Sequence, residues 1–298
     1  MITTGNFRMA TKIGKIVQNF YNETPFPDFN LSRFNSKEDL KLSMYTFAEI
    51  LDRSIPEDAS IIDVGTGTGQ LSAYLSLRRK KVVGVDFSKS SLLKAKKLKE
   101  KLKLNSLELK QVDLLDENQM RKLGKFDYVL CLGVLHHTGN AYKGFQNVVN
   151  LLNPGGKIAL GLYNTFGRIP LKIRVLLAKS IFKDNDRVKN YFIKMQIGEV
   201  ADKERARGWW NDQYEHPHET THTIGEVLRW FKKNNIEFMQ LVPTSNLFGG
   251  QNLKIGGVWN EINESKPKLL RRIFRQAMWI IETQREGGYW ITFGRLKE

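Results

Sequence analysis

Three glycines two residues apart, Gly65, Gly67 and Gly69, carry the clearest chemical signal in this chain. A short apolar run, Ile61-Ile62-Asp63-Val64, leads into them, and Leu71, Tyr74, Leu75 and Leu77 follow at helical spacing. Bare backbone at a strand-to-helix turn lets a polar ligand come close, and the helix N-terminus adds N–H donors and positive potential. The spacing separates cofactor classes. A dinucleotide loop needs G-x-G-x-x-G, but the third position is held by Gln70; a P-loop ends in Gly-Lys-Ser/Thr, which is missing. Acids stand at successive strand ends: Asp63, then Asp86 closing KVVGVD, then Asp113. Together they frame a cleft for a ligand bearing an amine, a ribose and a base.

All five histidines fall in two clusters, His136 and His137, and His216, His218 and His222. An imidazole titrates near neutrality and suits a general base. His218-Glu219-Thr220-Thr221-His222 has the spacing of H-E-x-x-H, which binds zinc only when a helix puts both histidines on one face. Pro217, two internal threonines and a better helix start at Thr223 argue against that helix, so no metal is expected here. The surrounding Trp209, Trp210 and Tyr214, with Asp212, Glu215 and Glu219, read as a lid over an acceptor or as a packed insertion. Aromatic faces of this kind also cradle cations. Cys131 lies inside an apolar run and reads as a buried, inert thiol.

The elements that must position these groups alternate. Strands are expected at 61–64, 81–86, 107–113, 126–132 and 157–163, with helices between them and a tight turn at Asn153-Pro154-Gly155-Gly156. A helix over Thr223–Asn235, opened by a capping box, leads to a sixth strand at 236–242, and Tyr289–Arg295 reads as the last. Repeated βα units with continuous apolar strands imply a doubly wound, mostly parallel α/β sheet, which binds ligands at the carboxyl ends of its strands. We expect an N-terminal helical segment (1–55), a cofactor-binding βα half (56–163), a helical cap insertion (164–222), and a C-terminal part of the sheet (223–298) carrying a second helical insertion (244–286).

The motif IIDVGTGTGQLS at 61–72, with CLGVLHHT at 131–138 and LNPGGKIAL at 152–160, resembles class I S-adenosylmethionine-dependent methyltransferases. The resemblance runs over roughly residues 40–163, and Thr223–Val242 and the last strand complete a seven-stranded, Rossmann-like fold. It implies that Gly65, Thr66, Gly67 and Gly69 wrap the methionine part and that Asp63 helps hold its ammonium. It implies Asp86 on the ribose hydroxyls and Phe87 against the adenine. Asp113 would accept from the adenine amino group beside the Leu114 N–H, and Leu132 and Gly133 would turn carbonyls to the ammonium. Tyr21, in the aromatic stretch 20–27, would close over the cofactor. His136 and His137 would stand near the transferred methyl as candidate bases, with Tyr163 facing the same side. The segments around positions 131–138 and 152–160 look most like the branch that methylates quinones, sterols, lipids and other small molecules.

Composition bounds the partners. The 298 residues carry 47 Lys and Arg against 31 Asp and Glu, a net charge of +16, with 41% hydrophobic residues. These values exclude a disordered chain, and one cysteine excludes a disulfide scaffold and fits a cytoplasmic setting. No signal peptide or membrane-spanning run is read. Three segments, 94–103, 168–183 and 266–275, hold fifteen of the sixteen net charges. The last two are amphipathic, with Ile169, Ile173, Leu176, Leu177 and Ile181 on one face, and Leu270, Ile273, Phe274, Ala277 and Ile281 on the other helix's face. Each is either a helix packed on the core with a solvated basic face or a contact to an anionic membrane surface. A small-molecule or lipid acceptor therefore leads. A tRNA or rRNA methyltransferase is the first alternative; residues 131–137 lack the Asn/Asp-Pro-Pro-Tyr/Phe motif used on base amino groups, and nucleic acid is the weaker partner. A non-catalytic cofactor-binding scaffold is the second.

Overall fold

The computed structural model of the protein describes residues 4–180, 185–197, 203–242, 258–259, 268–282 and 288–298. Seven strands, β1 (Ile61–Val64), β2 (Val82–Asp86), β3 (Leu107–Gln111), β4 (Phe126–Leu132), β5 (Leu152–Tyr163), β6 (Ile236–Val242) and β7 (Tyr289–Leu296), form one sheet in the order β3-β2-β1-β4-β5-β7-β6. β7 runs antiparallel to β5 and β6, and the other pairings are parallel. This is the doubly wound sheet that the βα alternation predicts. The central strand β1 is buried throughout. Edge strand β3 alternates and turns the Glu108–Lys110 pair outward, which discourages pairing with another chain.

Helices α1 (Thr4–Glu23), α2 (Lys37–Leu42) and α3 (Thr46–Ser54) precede the sheet; α4 (Gln70–Leu75), α5 (Lys89–Leu102), α6 (Glu117–Arg121) and α7 (Ala141–Val149) connect its parallel strands. The cap holds α8 (Ile169–Ser180), α9 (Asp186–Ile197), α10 (Lys203–Trp210) and one π-helical turn (Asn211–Glu215). α11 (Ile224–Lys233) and α12 (Leu269–Glu282) follow. Phe145 of α7, Phe231 of α11 and Trp279 of α12 pack on one face of the sheet; Leu51 of α3, Leu75 of α4 and Leu98 of α5 pack on the other. A fully buried side chain such as Phe145 contributes on the order of 1.5–3 kcal/mol. The cap has a small core of its own, in which Leu171, Ala178, Phe192, Ile193, Trp210 and Tyr214 meet.

Three expectations need correction, and one helix has no expectation to meet. Asn153–Gly156 is no turn between elements but part of β5, looped out where Phe126 pairs with Leu152 and Tyr128 with Lys157. The capping box at α11 is half formed: Thr223 accepts from the Glu226 N–H, while the Glu226 carboxylate turns to His222. α6, a short helix capped by Asp116, has no apolar periodicity and is not foreshadowed. Most tellingly, the apolar stripes of α8 and α12 do not face the core. Leu269, Leu270, Ile273, Phe274 and Ile281 are 51–81% exposed, while Arg275, Gln276 and Trp279 form the buried side. Ile169, Ile173 and Leu176 are likewise exposed, and Leu171 and Ala178 are buried instead. Ile181, Lys183, Lys266 and most of the 244–286 insertion lie outside the described residues.

The basic segments divide in use. Lys94 of α5 is ion-paired with Asp28, and Lys101 bonds the Leu31 carbonyl and Asn35, so this helix holds the chain's own lead-in segment. Arg168 and Lys179 pair with Glu219 and Glu215 within the cap. No described helix is long and apolar enough to cross a membrane.

Candidate active site

The glycine loop leaves β1 under the end of α1. Gly65, Gly67 and Gly69 all take positive φ (76°, 56° and 79°), a region costly to other residues. A Cβ on Gly65 would collide with Val134 of the β4 turn, and one on Gly67 with the Phe26 carbonyl. The loop is also stapled from outside: the Thr68 N–H bonds the Phe26 carbonyl at 3.3 Å, and its hydroxyl the Pro27 carbonyl at 2.7 Å. Asp63 lies beneath, buried, and accepts from the Ser72 hydroxyl at 2.6 Å; Thr66 bonds Ser72 in turn. Burial raises the Asp63 carboxyl, opposed by those two hydroxyls. In this arrangement Asp63 and Thr66 brace the loop from below.

Asp86 ends β2 and faces the loop. Its two oxygens accept from the Gly67 N–H at 2.9 Å and the Ser88 N–H at 2.8 Å. Burial pushes its carboxyl up to about 6, although both N–H groups pull it down. Phe87 follows, its carbonyl taken by Gln18 of α1 and by Gln111. Asp113 is exposed at the rim and accepts from the Leu115 N–H at 2.8 Å, while the Leu114 carbonyl is held by Asn147. Thus Gly65, Gly67, Gly69, Asp86 and Phe87 gather at the carboxyl ends of β1 and β2, with Asp113 and Leu114 following β3.

The second half of the cleft is the turn after β4. Leu132 and Gly133 end the strand, and Gly133 bonds the Gly161 carbonyl. A 3-10 turn, Leu135–His137, follows. The extended segment after the π-helical turn is laid across it: Thr220 N–H bonds the His136 carbonyl at 2.7 Å, and His222 N–H bonds the Tyr163 carbonyl at 2.8 Å. The H-E-x-x-H spacing is therefore read by extended chain, not a helix. Among the described residues no three His, Cys, Asp or Glu side chains gather as a metal site would require.

Over this turn the cap and α1 meet. The Tyr21 hydroxyl donates to Asp212 at 2.9 Å, and Gln213 donates to Asp212 at 2.8 Å and to the Tyr163 hydroxyl at 2.7 Å. The Arg168 guanidinium lies 3.6 Å from the Tyr163 ring centroid, bonds Gln213 at 2.7 Å, and grips Glu219. Burial raises Tyr21, with Asp212 adding to it; burial likewise raises Tyr163, so both phenols stay protonated. His136 is fully buried, packed 4.2 Å from Tyr163, with no partner for either ring nitrogen among the described residues. His137 faces the cap: its ring stacks on His216 at 3.7 Å and meets Tyr21 edge-on at 6.2 Å. Burial pushes His137 and His216 each down to about 3. Cys131 is buried in β4, and burial raises its thiol.

Asp212 and the aromatic cluster are visible in the sequence as a lid, but the partnership of Tyr21 with Asp212 is not, because 191 residues separate them. The roles of Gln213, Arg168 and His216 also escape the sequence, since nothing local marks which side chains turn inward.

A family model described as a methyltransferase domain matches residues 55–235, the stretch that contains the glycine loop, the Asp86 turn and the floor of the cap. The chain belongs to this methyltransferase family. An uncharacterized protein of Rickettsia prowazekii is 32% identical over 163 residues, covering 53% of this chain and 61% of that one. A ubiquinone biosynthesis O-methyltransferase of Coxiella burnetii is 31% identical over 105 residues, 35% of this chain and 43% of that enzyme. The chain thus spans about half the length of the curated relatives it matches. Among solved structures, PKMT2 from Rickettsia typhi superposes with a TM-score of 0.58 at 20% identity, over 84% of this chain and 52% of that one. Magnesium protoporphyrin IX methyltransferase from Synechocystis PCC 6803, solved with bound SAH, superposes with a TM-score of 0.51 at 15% identity, over 96% and 100%. Both likenesses are of the methyltransferase fold.

Proposed function

We propose that this methyltransferase moves the methyl group of S-adenosylmethionine to a small, lipid-like acceptor held between the β4 turn and the cap. The observation that carries the reading is the aromatic cluster of Tyr21, His137, Tyr163 and His216 with Asp212, which stands on the β4 turn whose Val134 packs against the glycine loop. The cluster is aromatic and mostly buried, as suits an apolar acceptor with few polar groups. The S-adenosylmethionine would rest on the Gly65–Gly69 backbone with its ribose on Asp86. The loop suits such a ligand because it carries no side chain at Gly65, Gly67 or Gly69 and stands beside the Asp86 carboxylate.

Methyl transfer from a sulfonium is an in-line displacement with a neutral leaving group. The protein must align donor and acceptor, keep water out and, where the acceptor carries a proton, receive it. The Tyr21–Asp212–Gln213–Tyr163 chain ties α1 to the cap and to the end of β5, and Arg168 anchors it.

The acceptor's source is the membrane in this reading. α12 is tied through Gln276 to Asn164, at the carboxyl end of β5 where α8 departs, and each helix turns an apolar face outward. Exposed Lys172, Lys268 and Arg271 flank them, matching an anionic lipid surface. The deciding experiment is calorimetry with S-adenosylhomocysteine. Wild-type protein should bind it, and Asp86→Ala should weaken binding at least tenfold; no binding to the wild type would end the reading.

A further inference from the structure

Two glycines leave room at the carboxyl ends of β4 and β5. Outside its chain neighbours, a Cβ on Gly133 would meet only a ring carbon of Tyr289, at 4.0 Å, so the space over Gly133 is open. A Cβ on Gly161 would strike the Tyr289 hydroxyl, so Gly161 is what lets that phenol lie across β5 beside Leu132. Tyr289 opens β7 opposite Tyr163 in the ladder, with the two rings edge-on at 5.8 Å. A second phenol comes from α3. Tyr45 stands at its N-cap without bonding the helix backbone and stacks on Phe47 at 6.3 Å, and Phe47 packs on Phe293 of β7. Phe47, Leu132, Tyr289 and Phe293 belong to one cluster on one face of the sheet. Neither phenol has a hydrogen-bond partner among the described residues. Tyr45 is 55% exposed, yet burial raises its hydroxyl to about 12, with Asp63 adding to the shift. A side chain that is open and still deep in the protein lines a hollow, not the outer surface. Burial likewise raises Tyr289, and Tyr45 and Asp63 act on it too. Both phenols therefore keep a proton to donate.

We propose that Tyr289 and Tyr45 donate hydrogen bonds to the carboxylate of the methionyl group of S-adenosylmethionine. The inference rests on the methyltransferase reading above and assigns the negative end of its cofactor. With the ribose on Asp86 at the end of β2, and the glycine loop following β1, the sheet order puts β4 next. The methyl has to face the aromatic cluster on the β4 turn, so the methionyl group extends from β1 toward β4, over Gly133. It carries three charged groups there: a sulfonium, an ammonium and a carboxylate. The ammonium only donates and the sulfonium has no proton to share, so the carboxylate is the one group that takes an O–H strongly. Asp63, at the end of β1, repels the carboxylate and suits the ammonium. The two ends of the zwitterion are thus sorted, with the acid of β1 on one side and the phenols of α3 and β7 on the other. Tyr289 and Tyr45 act here as binding and positioning residues, since they hold the donor in line without touching the transferred methyl's new bond.

The test compares two ligands by calorimetry on the full chain: S-adenosylhomocysteine, and its decarboxylated analogue, which keeps the ammonium, the thioether and the adenosine. Wild-type protein should bind the first more tightly. Tyr289→Phe keeps the ring and removes only the hydroxyl. It should weaken S-adenosylhomocysteine about tenfold, the size of one hydrogen bond to a charged group, and leave the analogue's affinity within about twofold. Tyr45→Phe should act in the same direction. Retained binding of the analogue shows that the variants are folded and that the ribose site is intact. Equal losses for both ligands, or no loss for S-adenosylhomocysteine in Tyr289→Phe, overturn the inference and leave the methyltransferase reading standing. So does a wild type that binds the two ligands equally. A wild type that binds neither overturns both.

Discussion

Asp86 shows how one residue links fold, cofactor and pH. Its pKa near 6 lies above the value of about 3.9 expected of an unfolded chain. The sign follows: the folded protein holds this proton more tightly, so Asp86 favours folding below about pH 4, and that contribution fades as pH rises through about 6. Ribose hydroxyls donating to the carboxylate would favour its charged form and lower the pKa again. Binding of S-adenosylhomocysteine at pH 6 should therefore release up to about half a proton, and almost none at pH 8. Calorimetry in buffers of different ionisation enthalpy reads this directly, and Asp86→Asn should abolish the difference. Proton uptake at pH 6 would contradict the assignment. At this scale the sequence is most legible where chemistry and backbone coincide. Gly65, Gly67, Gly69 and Asp86 announce themselves by spacing, because each sits at a fixed offset from a strand end. His137 is legible as a position but not as a tautomer, which depends on a carbonyl 81 residues away.

Elements explain what the residues alone leave open. Every strand is readable from its apolar run or alternation, because burial on both faces of a parallel sheet demands continuous apolar sequence. The cap is not, because its parts are held by distant polar contacts. Its main clamp is the Arg168–Glu219 pair, with the guanidinium 1% exposed and the carboxylate side chain 17% exposed. Removing the acid takes a carboxylate from a buried guanidinium that also meets Gln213 and the Tyr163 ring, and breaking such pairs costs about 3–5 kcal/mol when both are fully buried. Because Glu219 retains some solvent, we expect Glu219→Gln to cost about 3 kcal/mol, at the lower end of that range. Urea denaturation checks the value; a loss below about 0.5 kcal/mol, the range of an ordinary surface change, would show that the clamp does not hold the cap. The same variant should raise KM for the acceptor more than it lowers cofactor affinity, since Asp86 and the glycine loop lie outside the clamp. α12 teaches the complementary limit. Helical periodicity reports that a helix has an apolar face and is silent on whether core or solvent receives it.

For the whole molecule, the +16 divides into charges the fold consumes and charges it presents. Lys94, Lys101, Arg168 and Lys179 are spent on internal contacts. What α8 and α12 present is different in kind: exposed Ile, Leu and Phe side chains bordered by Lys172, Lys268 and Arg271. Exposed apolar residues scattered singly need no explanation, but five on one helix, each more than half exposed, do. The combination fits insertion of the apolar face among acyl chains while the cations meet anionic headgroups, and each cation near such a surface adds on the order of 1 kcal/mol. Vesicles containing anionic lipid should therefore sediment the protein, neutral vesicles should do so far less, and added salt should weaken the binding. Leu270→Asp with Phe274→Asp should abolish sedimentation and leave S-adenosylhomocysteine affinity unchanged, because both side chains point away from the cofactor cleft. Equal binding to neutral and anionic vesicles would remove the electrostatic half of the argument, and undiminished binding by the double variant would remove α12 from it.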